Sequence, residues 1–203
     1  MSVGNDVVDL DEPETRLSGL HPRFDERVFG AAERAALEAS PSRHLLHWAL
    51  WAAKESAYKA LRRLEPETVF SPREFAVELS SLPAPGAAGV AVGRVTHRAE
   101  RFDLEVHLDE ASVHAVARSE GEPGSLVLWQ VAAVRDDAGG AVRRLAAAAI
   151  GSALALDPAE LRIVGRPPMA FHRGRPLEAG LSLSHHGRLV AFACILPRGC
   201  PKQ

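Results

Sequence analysis

The chain is poor in cysteine and in aromatic residues, and it carries no excess of either charge. Its two cysteines, Cys194 and Cys200, lie near the C-terminus and are too few to frame a secreted disulfide scaffold. A reducing cytoplasm is the compartment that fits. Twenty-four Lys plus Arg stand against 26 Asp plus Glu, a formal net charge of -2, so no global field draws nucleic acid or an anionic membrane surface. Any phosphate binding must therefore be local. No run is long and apolar enough to span a bilayer as a helix. Met1 to Asp11 has acids but no basic segment ahead of an apolar run, which argues against a signal peptide. What remains is 203 residues with 46% hydrophobic content, enough for one large core or two small ones.

Val3 to Leu10 reads as a strand whose polar positions, Asn5, Asp6 and Asp9, leave the core. Arg23 to Leu37 has the spacing of a helix, ended by Ser40-Pro41-Ser42. A second helix is expected from Ser42, as N-cap, through Arg62. Its residues Trp48, Trp51, Ala52, Glu55, Lys59 and Arg62 recur at three- and four-residue steps, so Glu55 and Lys59 continue a row that Trp51 buries. Beyond Pro66 the β-branched runs 75–79, 90–96, 102–108 and 112–118 predict an antiparallel meander. Ser119 to Ser125 is the linker candidate. After it come a strand over 126–135, an Ala-rich helix over 140–156, and strands over 161–164, 180–184 and 189–196.

The two sides of the linker share an order, and Val113-His114-Ala115-Val116-Ala117 resembles Leu189-Val190-Ala191-Phe192-Ala193. The fold class expected is α+β, as two similar halves, 1–118 and 126–203, packed face to face as a pseudo-dimer.

Three clusters could carry chemistry: Gly4 to Asp9, Trp51 to Ala60, and Leu181 to His186. Each has an ordinary reading. Gly4 to Asp9 alone is a strand end with solvated acids. Glu55 with Lys59 is an i,i+4 helix pair worth only ~0.2–0.5 kcal/mol. Against that stands the place of Glu55 on the tryptophan stripe, because a partly buried carboxylate needs a cation or several donors to offset its desolvation. Adjacent His185 and His186, with no partner at a matching interval, are poor zinc spacing.

In this order the clusters resemble the signature of the 4′-phosphopantetheinyl transferases: a Gly-x-Asp-x-Val-Asp/Glu strand, a Trp/Phe-x-x-Lys-Glu-Ser/Ala-x-x-Lys helix and a Ser-x-Ser-His strand end. Arg23-Phe24, Arg27-Val28-Phe29 and Glu33 are similar to the first helix of the bacterial holo-acyl-carrier-protein synthases. The resemblance implies transfer of the 4′-phosphopantetheine arm of coenzyme A to a serine of an apo acyl- or peptidyl-carrier protein, for fatty acid, polyketide or nonribosomal peptide synthesis. It implies magnesium, with manganese as a substitute, on Asp6 and Glu55. Glu55 or a water beside it would take the serine proton. Lys59, and less directly Lys54, would meet the pyrophosphate. His185 would contact the nucleotide end of coenzyme A, Ser184 would add a hydroxyl, and Arg175 of Gly174-Arg175-Pro176 would grip adenosine or phosphate. Arg16, Arg23 and Arg27 would face an acidic carrier helix.

One departure matters. The larger, surfactin-type members carry an acid two residues after the first aspartate, where this chain has Val8; Asp9 would then be structural or stand behind the metal ligands. The motif order is that of the small trimeric synthases, but the length is that of the large type. A monomer is expected, its site shared between the halves. The competing readings are a trimeric synthase with a long insertion and a non-catalytic coenzyme A or carrier-protein binding module.

Overall fold

A computed structural model describes residues 2–84, 87–121 and 126–197. Part of the linker candidate, Glu122 to Ser125, and Cys200 lie outside the described residues. The first half runs β1 (Val3–Asp9), α1 (Phe24–Val28), α2 (Ala31–Ala39), α3 (Arg43–Leu64), β2 (Ala76–Leu79), β3 (Gly89–His97), β4 (Glu100–Leu108) and β5 (Ser112–Ser119). The second runs β6 (Leu126–Ala133), α4 (Ala138–Leu154), β7 (Leu161–Val164), β8 (Met169–His172), β9 (Arg175–Pro176), β10 (Gly180–His186) and β11 (Leu189–Leu196). The class is α+β, and no helix among the described residues is long and apolar enough to cross a membrane.

The strands form an antiparallel five-stranded sheet, β1-β5-β4-β3-β2, a three-stranded sheet, β10-β11-β6, and a small sheet, β7-β8-β9. In each half the first strand pairs with the last, the last pairs with the strand before it, and a long helix packs behind. The expected likeness between the closing strands is displaced by one residue. Val113, Ala115 and Ala117 face the α3 side and Val116 meets Ala193 and Ile195, whereas Val190, Phe192 and Cys194 face α4. Val113 thus corresponds to Val190, because a one-residue slip in a strand exchanges its two faces. The pair β8-β9 was not legible in the sequence; its residues are too short and mixed for a period-two pattern.

The helix expected over Arg23 to Leu37 is two helices. Phe29 and Gly30 are extended, and Glu33 Oε2 accepts the Gly30 N–H at 2.6 Å, starting α2 afresh. Ser42 stands at the N-cap of α3, but its side chain makes no capping bond.

The expectation for β1 is corrected: of its three polar positions only Asp6 is partly exposed. Asn5 and Asp9 are fully buried, as is Gly4. Gly4, Asp6 and Val8 face α3, while Asn5 and Val7 face the second half. A side chain at Gly4 would put its Cβ 1.9 Å from Ser56 O and 2.6 Å from Ala60 N, so only glycine lets the strand lie on the helix. On the other face Val3 and Val7 join Val116, Leu189, Ala191, Ala193 and Ile195 in a dry seam. Each large aliphatic side chain buried there contributes roughly 1.5–3 kcal/mol.

Lys54 does not reach the phosphate-binding side assigned to it by resemblance. Its side chain is fully buried, with Nζ 2.8 Å from both Glu33 oxygens and donating to Phe75 O. Glu33 also accepts the Val77 N–H at 2.9 Å, so one buried ion pair ties α2, α3 and β2 together. Burial pushes the Lys54 ammonium below its ordinary value, with Glu33 opposing. Lys54→Met is expected to cost about 3–5 kcal/mol in urea unfolding, because it leaves Glu33 charged and unpaired. The double variant Glu33→Gln/Lys54→Met should recover much of that loss.

Candidate active site

Asp6 on β1 and Glu55 and Lys59 on α3 come together because β1 lies flat on the helix at Gly4. Lys59 Nζ stands 2.7 Å from Asp6 Oδ1 and 3.1 Å from Asn5 O. Glu55 is half-buried, and its carboxyl is held above the ordinary carboxylate range by burial, then by the Asp6 charge, with Lys59 opposing. These are two acids in mutual repulsion beside a shared ammonium. No third metal-ligating side chain gathers with them among the described residues. Val8, two residues after Asp6, is buried in the α3 core.

Lys59 also lines a cleft of about 510 Å³ between α3, the start of α4, the 165–168 turn and β10. Its walls carry Arg62, Arg63, Arg143, Arg166 and His185. Arg62 lies over the Tyr58 ring at 5.8 Å, and Arg143 Nη1 donates to Gly139 O at 2.7 Å. Arg63 is a brace, donating to Leu181 O and to Pro168 O, and so fixes the end of α3 to β10. The cleft has no carboxylate in its lining, so it concentrates positive charge locally in a chain without net positive charge. A second cleft, about 620 Å³, lies between the β4–β5 turn and β6 and has Asp109, His107 and His114 but no Lys or Arg.

Arg62, Arg63, Arg143 and Arg166 line the cleft and were not among the site residues expected from the sequence. One signal was present: Gly165-Arg166-Pro167 has the same three residues as Gly174-Arg175-Pro176. The structure puts Arg166 in the cleft and leaves Arg175 exposed on β9, outside the lining. Which of two like tripeptides meets the cleft depends on the path of β7 to β10, and local sequence does not encode that. Ser184 is also corrected. It is buried at the seam, its Oγ accepting from Asn5 Nδ2 at 2.9 Å, and does not line the cleft.

Asn5 joins the halves beneath the site. Its N–H donates to Ser182 Oγ at 3.0 Å and its Nδ2 lies 3.2 Å from His114 Nε2. Burial, followed by the nearby His107 and Lys59, pushes the His114 imidazole down to about 3, so it is neutral and accepts that bond. Cys194, behind β10, is buried and its thiol is pushed up to about 12, which removes it as a nucleophile.

The sequence profile of the 4′-phosphopantetheinyl transferase superfamily matches residues 2–117. Among solved structures, the holo-[acyl-carrier-protein] synthase of Thermotoga maritima aligns with a TM-score of 0.39 and 13% identity, covering 86% of this chain and 84% of that one. No curated protein matches the sequence. The profile takes in more than half of the chain, including β1 and α3 with Asp6, Glu55 and Lys59, and on it the chain belongs to the 4′-phosphopantetheinyl transferase superfamily.

Proposed function

We propose that the chain moves the 4′-phosphopantetheine arm of coenzyme A onto a serine hydroxyl of an apo acyl- or peptidyl-carrier protein and releases 3′,5′-ADP. The observation that carries this reading is the position of Lys59, which joins the Asp6–Glu55 acid pair to a cleft lined by Arg62, Arg143, Arg166 and His185. A nucleotide with several phosphates suits the cleft, and a phosphoryl group at its inner end would meet Lys59 first.

Asp6 and Glu55 offer only oxygen donors, and the raised carboxyl of Glu55 marks a place where negative charge is in excess. Such a pair fits a hard dication, and these two residues would hold magnesium, or manganese in its place. Bound there, the ion would neutralise oxygens of the pyrophosphate as charge develops on them. Glu55 takes the proton of the serine hydroxyl as the serine oxygen bonds to the β-phosphorus. The bond from that phosphorus to the bridging oxygen breaks, and the Lys59 ammonium stabilises the departing 3′,5′-ADP. Arg62, Arg143, Arg166 and His185 hold the nucleotide end, with Arg166 in the role expected of Arg175.

Each half supplies part of this site: 1–118 the acids and Lys59, 126–203 Arg143, Arg166 and His185. That division supports a pseudo-dimer derived from one repeated α+β unit. The protein is expected to run as a single chain in multi-angle light scattering; a mass near three chains would contradict the pseudo-dimer.

With an apo carrier, coenzyme A and magnesium, intact-mass spectrometry should show the arm added to the carrier. Asp6→Ala and Glu55→Ala should each lower the rate at least about 100-fold, the scale of a lost general base or charge-stabilising group. No addition to fatty-acid, polyketide or peptide-synthetase carriers would favour the binding module instead.

Glu55 also sets a pH dependence. As a base it must be ionised, so turnover should fall at acid pH, and magnesium on the Asp6–Glu55 pair would offset the repulsion that raises Glu55 in the ligand-free protein and move the acid limb to lower pH as its concentration rises. The shift in the ligand-free protein runs against stability. A carboxyl whose affinity for protons is raised by folding costs stability once the pH exceeds its unfolded value, and costs nothing well below it. Glu55→Gln should therefore raise the melting temperature of the ligand-free protein at neutral pH, with the gain vanishing at acid pH.

A further inference from the structure

Two residues of the motifs, Asp9 and His186, have no part in the cleft. They meet each other at the far end of β1. β1 is the edge of its sheet, and there the Asp9 N–H donates to His186 Nδ1 at 3.0 Å. That bond places the imidazole proton on Nε2, which lies 2.9 Å from Glu14 Oε1. The Asp9 carboxylate, fully buried, accepts from the backbone N–H of Arg188 at 3.2 Å and forms an ion pair with its guanidinium, Nε also lying at 3.2 Å. Arg188 also donates to Asp11. Between them Gly187 has a positive φ of 52°, and a Cβ there would lie 2.5 Å from Glu12 Cγ. The segment from Asp9 to Glu14 thus grips the β10–β11 turn through both the main chain and side chains.

We propose that Asp9 and His186 form a latch that sets the position of His185 in the cleft. Successive residues of a strand point to opposite faces, so a ring fixed at His186 on the first half turns His185 away from it. Four residues earlier on each strand, Ser182 Oγ accepts the Asn5 N–H in the same way. The edge of β1 is therefore held to β10 at two points by side chains, and the register of β10 against Asp6 follows from them. His186 and Asp9 are positioning residues in this scheme; neither touches the nucleotide. The proposal rests on the reading of the cleft as the coenzyme A site.

The test uses the full chain with His186→Asn, His186→Gln and His186→Leu. An asparagine Oδ1 overlays the imidazole Nδ1 and keeps the acceptor for Asp9; a glutamine amide overlays Nε2 and does not. In the ligand-free protein, hydrogen exchange at the Asp9 N–H should rise about tenfold in the Gln and Leu variants, the scale of one lost buried bond, and stay near wild type in the Asn variant. The ring resonances of His185 should shift in the same two variants. In the transfer assay their KM for coenzyme A should rise about tenfold with kcat within about twofold, and the Asn variant should restore it. Unchanged His185 resonances in the Leu variant, or an Asn variant as impaired as the Leu variant, would overturn the latch. A wild-type protein that transfers no arm would count against the proposed function alone, since exchange and ring resonances still decide the latch without it.

Discussion

The flat approach of β1 to α3 at Gly4 is the contact on which the rest of the molecule depends. With no Cβ at that position, the strand backbone comes within van der Waals reach of Ser56 and Ala60, and the next residue on the same face, Asp6, is brought to Lys59. The helix cannot turn away, because Lys54 on its other side is held by Glu33, whose remaining bonds go to the start of α2 and to β2. Burial of that ion pair is tolerable only because every oxygen of the carboxylate has donors. Glu55 follows Lys54 directly, so the rotation that satisfies one residue aims the other at β1.

Electrostatics then divide the site. The acid pair lies under Lys59, where Glu55 is pressed toward its neutral form, while the cations of the cleft come from α3, α4 and a turn. No single segment is basic enough to bind phosphate by itself. Charge is concentrated by folding, which is how a chain with a net charge of -2 presents a wall of arginines. The arginines also differ in kind: Arg63 spends its hydrogen bonds on main-chain carbonyls and acts as a strut, whereas Arg62 stacks on Tyr58 and keeps its donors for the cleft.

The seam between the halves explains why β1 reads badly as a strand with one wet face. A strand at the edge of a sheet ordinarily exposes main-chain donors. Here those of Asn5 and Asp9 are taken by Ser182 and His186, and the apolar residues Val3 and Val7 close the space between. Asn5 and Asp9 are polar because they bond across the seam, and burial does not contradict their polarity.

The sequence by itself determined the longer elements and the placing of Glu55 beside Lys59. Hydrophobic period located α3, the meander, α4 and β11 within a few residues, since those patterns are local and strong. The three- and four-residue steps from Trp51 put Glu55 and Lys59 on one helical row, and they stand together in the fold. Only the tertiary structure decided which polar residues of the motifs stand at the acid pair and the cleft and which are bound up inside the fold. Lys54 and Ser184 sit inside the same motifs as Glu55 and His185, yet they face Glu33 and Asn5. Arg166 and Arg175 have like neighbours in sequence, and one lines the cleft while the other stands in solvent. Those choices turn on which element lies opposite each side chain, and contacts between residues more than a hundred positions apart have no signature in any one segment.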